Sequence, residues 1–184
     1  MRLIFALSRA TRVGVLAIGA ALLTGCGTDE AAQKIVKIIL DPETPVGPPE
    51  ERPTQLTLHA FASGDVNPNF VGETAPLTFK VVALKSDHIF VNRDFFSLTL
   101  DLEGTLGPTF VAELDEQEIS PDTYKVLGPY DLPEGTTMLG ILSLVVDIDA
   151  GVWQDTISVD AQGAEQDLAV LFLKDEVRFV EEGN

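Results

Sequence analysis

Apolar and polar side chains alternate in two stretches in the middle of the chain. Residues 56–60 and 77–84 both carry apolar side chains at every second position, which is the period of a strand with one buried face. Residues 138–146 are apolar on both faces apart from Gly140 and Ser143, as in a central strand that is covered on both sides. The pattern therefore predicts three strands, with the third near the centre of the core.

Four shorter apolar stretches predict further strands, at residues 124–127, 156–159, 168–173 and 177–180. Gln162 and Gly163 lie between the second and third of these stretches, so one expectation is a hairpin that pairs the two. Seven or eight short strands separated by turn residues are typical of an all-β sandwich.

One segment between the strands has helical spacing. After a candidate N-cap at Ser86 or Asp87, apolar residues recur at intervals of three and four, at Val91, Phe95, Leu98 and Leu102. An alternating pattern over residues 96–102 also exists, but the helical pattern is favoured. Glycine and proline at 104–108 then interrupt it. The sequence thus predicts a small helical insertion near 87–113, whose last residues, 109–113, form a further turn.

The first 25 residues predict a signal peptide that is removed. Arg2, Arg9 and Arg12 supply a positive start, and residues 13–23 are an apolar run too short for a spanning helix, which needs about 20 residues. Residues 23–26 resemble the bacterial lipobox, in which cleavage before the cysteine leaves a thiol for diacylglycerol. An ordinary signal peptide that contains a cysteine is the alternative. Cys26 is therefore the expected lipidation site, and its acyl chains would hold the protein on a lipid bilayer.

Residues 26–53 are expected to form an extended tether. Five prolines and interspersed acidic residues disfavour a packed element in this segment. Residues 35–40 are apolar, and their pattern does not distinguish a short strand from a lipid-proximal contact. The folded domain is then expected at 54–184.

The charge and the single cysteine argue against several classes of protein. The formal net charge is −17, and loss of three arginines with the signal peptide makes it −17 − 3 = −20. So negative a chain argues against nucleic acid as a partner. One cysteine leaves no internal disulfide, and the lipid gives that cysteine another use.

Residues that support catalysis or metal binding are sparse. The two histidines, His59 and His88, have no second ligand at motif spacing, and no thiol remains once the cysteine is acylated. Asp147 and Asp149 precede Gly151 like a fragment of a calcium loop, but the third ligand and the distal glutamate are missing. We therefore expect no enzyme, no metal and no cofactor other than the covalent lipid.

The connection between the first two strands is longer than a tight hairpin requires. It runs from Ser63 to Gly72 and carries Val66, Phe70 and Val71 among polar residues. On an exposed loop these three side chains would form a small apolar contact surface. The alternative is that Phe70 tucks back under the sandwich while the preceding residues make only a turn.

Several spaced motifs resemble those of the type VI secretion lipoprotein family TssJ, also called VasD, over residues 26 to about 159. After the lipobox, residues 62–69 resemble the pattern ASxDxNPD, and residues 72–76 resemble GxPSP. Residues 94–98 resemble ADFFxL after the YxLK strand, which is 83–85 here. Ser120, Pro121 and Asp122 stand at xPGE, and Trp153 stands at a Trp-Arg pair. The chain departs from the family pattern at four positions, with Asn69 for Asp, Ala75 for Ser, Val82 for Tyr and Gln154 for Arg.

The resemblance implies a transthyretin-like β-sandwich with a small helical addition. It also implies a structural role on the outer membrane, facing the periplasm, because Gly27 rather than Asp follows the cysteine. The implied partner is the periplasmic C-terminal part of the inner-membrane protein TssM, so that the lipoprotein anchors a trans-envelope complex. Much of that contact falls on the loop between the first two strands, and the implied partner-binding residues are Val66, Asn67, Pro68, Asn69 and Phe70.

The main alternative is a periplasm-facing lipoprotein whose sandwich binds a small molecule or a sugar. Trp153 and Tyr130 would be its stacking residues, although a tryptophan after a strand is more often a packing residue. An envelope hydrolase would need a nucleophile and a base in contact, which two separate histidines do not supply.

Overall fold

The computed structural model describes residues 52–149 and 151–180. The predicted signal peptide, the lipidation site at Cys26 and the tether up to residue 51 lie outside these ranges, so the division into 1–25, 26–53 and 54–184 stays a prediction. Within the described ranges, no helix is long and apolar enough to span a bilayer.

Eight strands and two short helices make up the described domain. The strands are β1 (Gln55–Ala62), β2 (Leu77–Leu84), β3 (Phe110–Ile119), β4 (Thr123–Asp131), β5 (Met138–Leu144), β6 (Gln154–Ser158), β7 (Glu165–Phe172) and β8 (Val177–Val180). Between β2 and β3 lie α1 (Phe95–Leu100) and α2 (Leu102–Leu106), with 3₁₀ turns at Phe90–Asn92 and Gly107–Thr109. The predicted β-sandwich with a small helical insertion is confirmed.

The strands form two four-stranded sheets, in the orders β4-β1-β7-β8 and β3-β2-β5-β6. Strands β1 and β7 run parallel, and the other pairs of these strands are antiparallel. The expected hairpin between 156–159 and 168–173 is therefore wrong, because β6 pairs with β5 in one sheet and β7 pairs with β1 in the other. Strand β5 lies between β2 and β6, as its two apolar faces predict.

The core fills the space between the two sheets. Alternate residues of β1 point inward and are buried, and together with buried residues of the neighbouring β7 they meet the inner faces of β2 and β5. Within it the rings of Phe79 and Phe172, one from each sheet, lie with centroids 4.6 Å apart. Burial of each large apolar side chain stabilises the fold by about 2 kcal/mol, so this layer holds the sheets together.

The helical insertion covers the outer face of the sheet β3-β2-β5-β6. Its buried residues pack on Val82, Leu84 and Leu142 of this sheet. The buried residues of the insertion are Phe90, Leu98, Leu102 and Leu106. The predicted stripe is thus partly wrong, because Val91 is exposed. Strand β3 begins at Phe110, so the further turn expected at 109–113 is also wrong.

Two aspartates cap the helices in place of the predicted Ser86 or Asp87. Asp94 accepts a hydrogen bond from the backbone N–H of Ser97 at 3.0 Å, and Asp101 accepts one from Gly104 at 2.9 Å. Hydrogen bonds from the Ser97 hydroxyl and N–H hold the pKa of Asp94 below its usual value. The Asp94 carboxylate at the start of α1 therefore stays charged at a lower pH than an aspartate with the usual pKa does.

Polar contacts tie the two sheets together at both lateral edges. The Tyr130 hydroxyl on β4 donates to Asp115 on β3 at 2.5 Å, and the Asp155 carboxylate on β6 accepts from the Phe179 N–H on β8 at 2.7 Å. Burial, the hydrogen bond and the Asp115 charge all raise the pKa of Tyr130. The Tyr130 hydroxyl thus links the two sheets, and its side chain is partly buried and packs against the core.

Candidate functional site

Four connections meet at one end of the sandwich, which we call the loop end. They are the β1–β2 loop (63–76), the β3–β4 turn (120–122), the β5–β6 loop (145–149 and 151–153) and the β7–β8 turn (173–176). Backbone hydrogen bonds join them, from Ser63 N to Phe172 O at 2.9 Å, from Asp122 N to Ser63 O at 3.3 Å and from Val152 N to Asp175 O at 2.9 Å. The loop end is therefore one connected surface.

Two of the predicted partner-binding residues hold the β1–β2 loop in place. Val66 is buried in the core, and Asn67 is buried with a backbone φ of +49°. The Asn67 side chain accepts from Val146 N–H and donates to Pro76 O, both at 2.9 Å. These two residues fasten the loop to the β5–β6 loop and to the start of β2, and they present little surface to a partner.

The tip of the same loop is a tight turn that displays two apolar side chains. The Asn69 carboxamide oxygen accepts from Val71 N at 3.0 Å and from Glu73 N at 2.9 Å, and Gly72 has a φ of +85°. Phe70 is 85% exposed and Val71 is 80% exposed. The alternative in which Phe70 tucks under the sandwich is thus wrong, and the loop carries an exposed aromatic side chain on a preformed turn.

Replacement of Asn67 by alanine is expected to lower the free energy of unfolding by about 2 kcal/mol, because two side-chain hydrogen bonds are lost at about 1 kcal/mol each. Urea denaturation of the chain measures this change. Asn92→Ala is the matched control, since Asn92 is exposed and makes one side-chain hydrogen bond, to His88 O. A loss in N67A no larger than the loss in N92A would contradict the fastening role of Asn67.

A cleft of about 80 Å³ opens between the two sheets at the loop end, beside the β1–β2 loop. Leu77, Ser143 and Val145 line it from one side, and Phe172 and Val177 line it from the other. The predicted loop residues Val66, Asn67, Pro68 and Asn69 also line it. The sequence pointed to that loop but not to the cleft, because the rest of the lining comes from strand ends and loops that are far apart in the chain.

The other sequence candidates are placed apart from each other. His59 lies on the outer face of β1, with Nδ1 2.5 Å from the Tyr124 hydroxyl and Nε2 3.4 Å from Asp167. Asp147 accepts from the Asp149 N–H at 3.2 Å, which makes a local acidic turn. No group of three or more His, Cys, Asp or Glu side chains in 52–149 and 151–180 is placed to hold a metal ion.

His88 lies in the segment that leads into the helical insertion, and Trp153 contacts the insertion itself. His88 is exposed, and its Nδ1 lies 2.7 Å from the Ser86 hydroxyl. Trp153 packs edge to face against Phe95 of α1, with ring centroids 5.2 Å apart. Its indole thus packs on the helical insertion, and Trp153 also lines the cleft at the loop end.

The fold and the loop end together define a two-sheet β-sandwich whose loops are joined by backbone hydrogen bonds at one end. A family model described as Type VI secretion lipoprotein, VasD, EvfM, TssJ matches residues 54–176. The chain belongs to this family of membrane-associated type VI secretion lipoproteins. No curated protein sequence matches the chain.

Solved structures share the fold over nearly their whole length. The T6SS lipoprotein TssJ1 from Pseudomonas aeruginosa is 27% identical with a TM-score of 0.63, and the match covers 72% of this chain and 98% of that one. Serratia marcescens Lip, a membrane bound component of the Type VI Secretion System, is 21% identical with a TM-score of 0.63, and the match covers 70% and 99%. A chain described as the T6SS protein TssM C-terminal domain from EAEC is 12% identical with a TM-score of 0.58, and the match covers 69% and 98%. The last two similarities support the fold alone.

Proposed function

We propose that this protein is an outer-membrane lipoprotein, held by lipid on Cys26 and facing the periplasm, that anchors the type VI secretion membrane complex. Its partner is the periplasmic C-terminal part of a TssM-like inner-membrane protein. The loop end is the binding surface, with Phe70 at its centre. The observation that carries the proposal is the exposed aromatic side chain on a rigid turn, in a chain that belongs to this lipoprotein family.

The direction of the strands supports this arrangement. The tether leads into β1 at Gln55, and the β1–β2 loop begins after Ala62 at the other end of that strand. Eight residues of strand span about 26 Å, at about 3.3 Å per residue. The loop end is therefore at the opposite end of the sandwich from Gln55, where the chain enters β1, and in this proposal a partner that crosses the periplasm meets it there.

The preformed turn at 69–73 supports a role in binding. Four hydrogen bonds within the turn fix its backbone. Two join backbone groups, from Asn69 N to Glu73 O and from Gly72 N to Asn69 O, and two run from Val71 N and Glu73 N to the Asn69 side chain. A loop that is already ordered loses little conformational entropy when a partner docks. Aromatic side chains, phenylalanine among them, are also enriched at protein–protein interfaces relative to the rest of the surface.

A structural role fits the residues better than a catalytic one. His59 and His88 lie on different elements and contact Tyr124, Asp167 and Ser86. A nucleophile activated by a base would need the two in direct contact. We therefore propose that the protein binds and positions its partner without chemistry.

Phe70→Asp is expected to weaken binding to the TssM-like periplasmic segment at least about tenfold, because loss of a hot-spot side chain costs at least about 2 kcal/mol and about 1.4 kcal/mol corresponds to tenfold. The full lipidated chain, purified in detergent, is titrated with that segment by isothermal titration calorimetry. Phe96→Asp is the control, since Phe96 is also exposed but lies on α1. Absence of saturable binding by the unmutated chain would refute the proposed function, whereas equal effects of F70D and F96D would refute only the site.

A further inference from the structure

The cleft at the loop end has the size and lining of a pocket for one long side chain. Its volume of about 80 Å³ holds roughly five to eight water-sized groups. The walls that Leu77, Val145 and Phe172 provide are apolar. A cleft of this kind favours a chain of methylene groups over a small polar solute.

A buried hydroxyl in this cleft lacks a partner. Ser143 follows Ile141 on the inner face of β5, is 1% exposed and lines the cleft. Its Oγ has no hydrogen-bond partner among the described residues. Since a buried hydroxyl without a partner is unfavourable, a group that donates a hydrogen bond inside the cleft gains an acceptor.

Carboxylates outnumber cations on the walls of the cleft. Asp147, Asp175 and Glu176 line it, against the single ammonium group of Lys174. A Glu176 carboxylate oxygen lies 3.4 Å from Arg178 Nε at the surface. For Asp147 and Asp175, the cationic side chain that lines the cleft is Lys174. We call these walls, with Ser143, the acidic cleft.

We propose that the acidic cleft receives a lysine or arginine side chain of the partner protein that docks on the loop end. This inference rests on the proposed function and adds the chemistry of the partner surface. On that surface a basic residue lies beside the apolar patch that contacts Phe70. The methylene stem packs on the apolar walls, while the charged head pairs with the carboxylates and donates to Ser143 Oγ.

The apolar and charged parts of the cleft together select this type of side chain. A leucine or phenylalanine would fill the volume but leave the carboxylates desolvated and unpaired. A small cation would meet the carboxylates but leave the apolar walls uncovered. Lysine and arginine satisfy both, and their attraction to the cleft weakens as salt concentration rises.

The test neutralises the acidic cleft without removing hydrogen-bond acceptors. The variant carries Asp147→Asn, Asp175→Asn and Glu176→Gln, and the asparagine at 147 keeps an oxygen for the Asp149 N–H. The control carries Glu134→Gln, Asp160→Asn and Glu165→Gln, three exposed acidic residues at the opposite end of the sandwich. Both variants change the net charge by the same amount.

Binding of the full lipidated chain to the TssM-like periplasmic segment is measured from 50 to 500 mM NaCl. We expect the cleft variant to raise Kd about tenfold at low salt and to flatten the salt dependence, with less than a twofold change in the control. Thermal unfolding checks that both variants remain folded, and the single variant Asp147→Asn replaces the triple variant if that one does not.

The outcomes separate this inference from the proposed function. If the cleft variant binds like the unmutated chain while F70D weakens binding as expected, the basic side chain is overturned and the proposed function stands. Equal weakening in the cleft variant and the control also overturns it, because the charge then acts at long range. Failure of the unmutated chain to bind overturns both.

Discussion

Alanine in place of Gly151 is expected to lower the free energy of unfolding by about 3 kcal/mol, because no space exists for a Cβ atom. A Cβ at this position would lie 1.8 Å from the backbone oxygen of Asp175 and 2.5 Å from its carbonyl carbon. The two loops are joined here, since Val152 N donates to Asp175 O at 2.9 Å and Val177 N donates to Val152 O at 2.8 Å. The methyl group therefore forces the β5–β6 loop away from the β7–β8 turn.

Gly64→Ala is the matched control for this substitution. Gly64 also lies at the loop end, but a Cβ there would meet only the Asp122 Cβ, at an ordinary contact distance of 3.9 Å. We expect a change within about 0.5 kcal/mol for G64A in urea denaturation. If G151A were as stable as G64A, the close contact between the two loops would not exist in solution.

The G151A variant also tests whether the loop end acts as one surface. Separation of the two loops widens the acidic cleft, so binding of the TssM-like segment is expected to weaken even at temperatures where the variant is folded. The Phe70 turn belongs to a different loop, which keeps its own hydrogen bonds. Partial loss of affinity in G151A, against strong loss in F70D, is the pattern we expect.

Phe79→Ala is expected to cost about 4 kcal/mol of stability, which is the typical cost of a cavity left by a buried aromatic ring. Phe79 is fully buried on β2, and its ring contacts Phe172 of the opposite sheet. Since small domains have total stabilities of about 5–15 kcal/mol, this loss leaves the variant marginally folded. Thermal and urea denaturation both measure it.

Phe96→Ala provides the comparison for the core variant. Phe96 carries the same side chain but is 59% exposed on α1, where its main aromatic contact is the neighbouring ring of Phe95. A loss of about 1 kcal/mol or less is expected. Similar losses in F79A and F96A would contradict the burial of Phe79 in the core.

The sequence predicted those strands whose burial is regular. Strand β1 alternates buried and partly exposed residues, and β5 is buried on both faces, so periodicity alone identified each of them. The helical insertion was also predicted, because its apolar spacing reflects packing on one face of a sheet.

Strand β3 was not predicted because its local pattern is irregular. It lies at the edge of its sheet, carries four acidic residues between 113 and 118, and pairs with β2 through two register shifts. Each shift breaks the period of two on which strand prediction depends. The expected hairpin of 156–159 with 168–173 failed for another reason, since the partner of β7 is the distant strand β1.

The candidate loop was predicted as a segment but not residue by residue. Phe70 and Val66 are both apolar loop residues, yet Phe70 is exposed and Val66 is buried. Their difference follows from the Asn67 hydrogen bonds to Val146 and Pro76, which involve parts of the chain that local sequence does not connect. The acidic cleft escaped prediction for the same reason.

The parallel pairing of β1 with β7 also determines when the domain can become stable as the chain emerges. Gln55 pairs with Glu165, a separation of 165 − 55 = 110 residues, so the contact order of this sheet is high and its formation is intrinsically slow. A chain that emerges N-terminus first presents β1 long before its parallel neighbour exists. Until residues 165–172 arrive, one edge of β1 stays open to pairing with other chains, so the unfinished domain is exposed to aggregation.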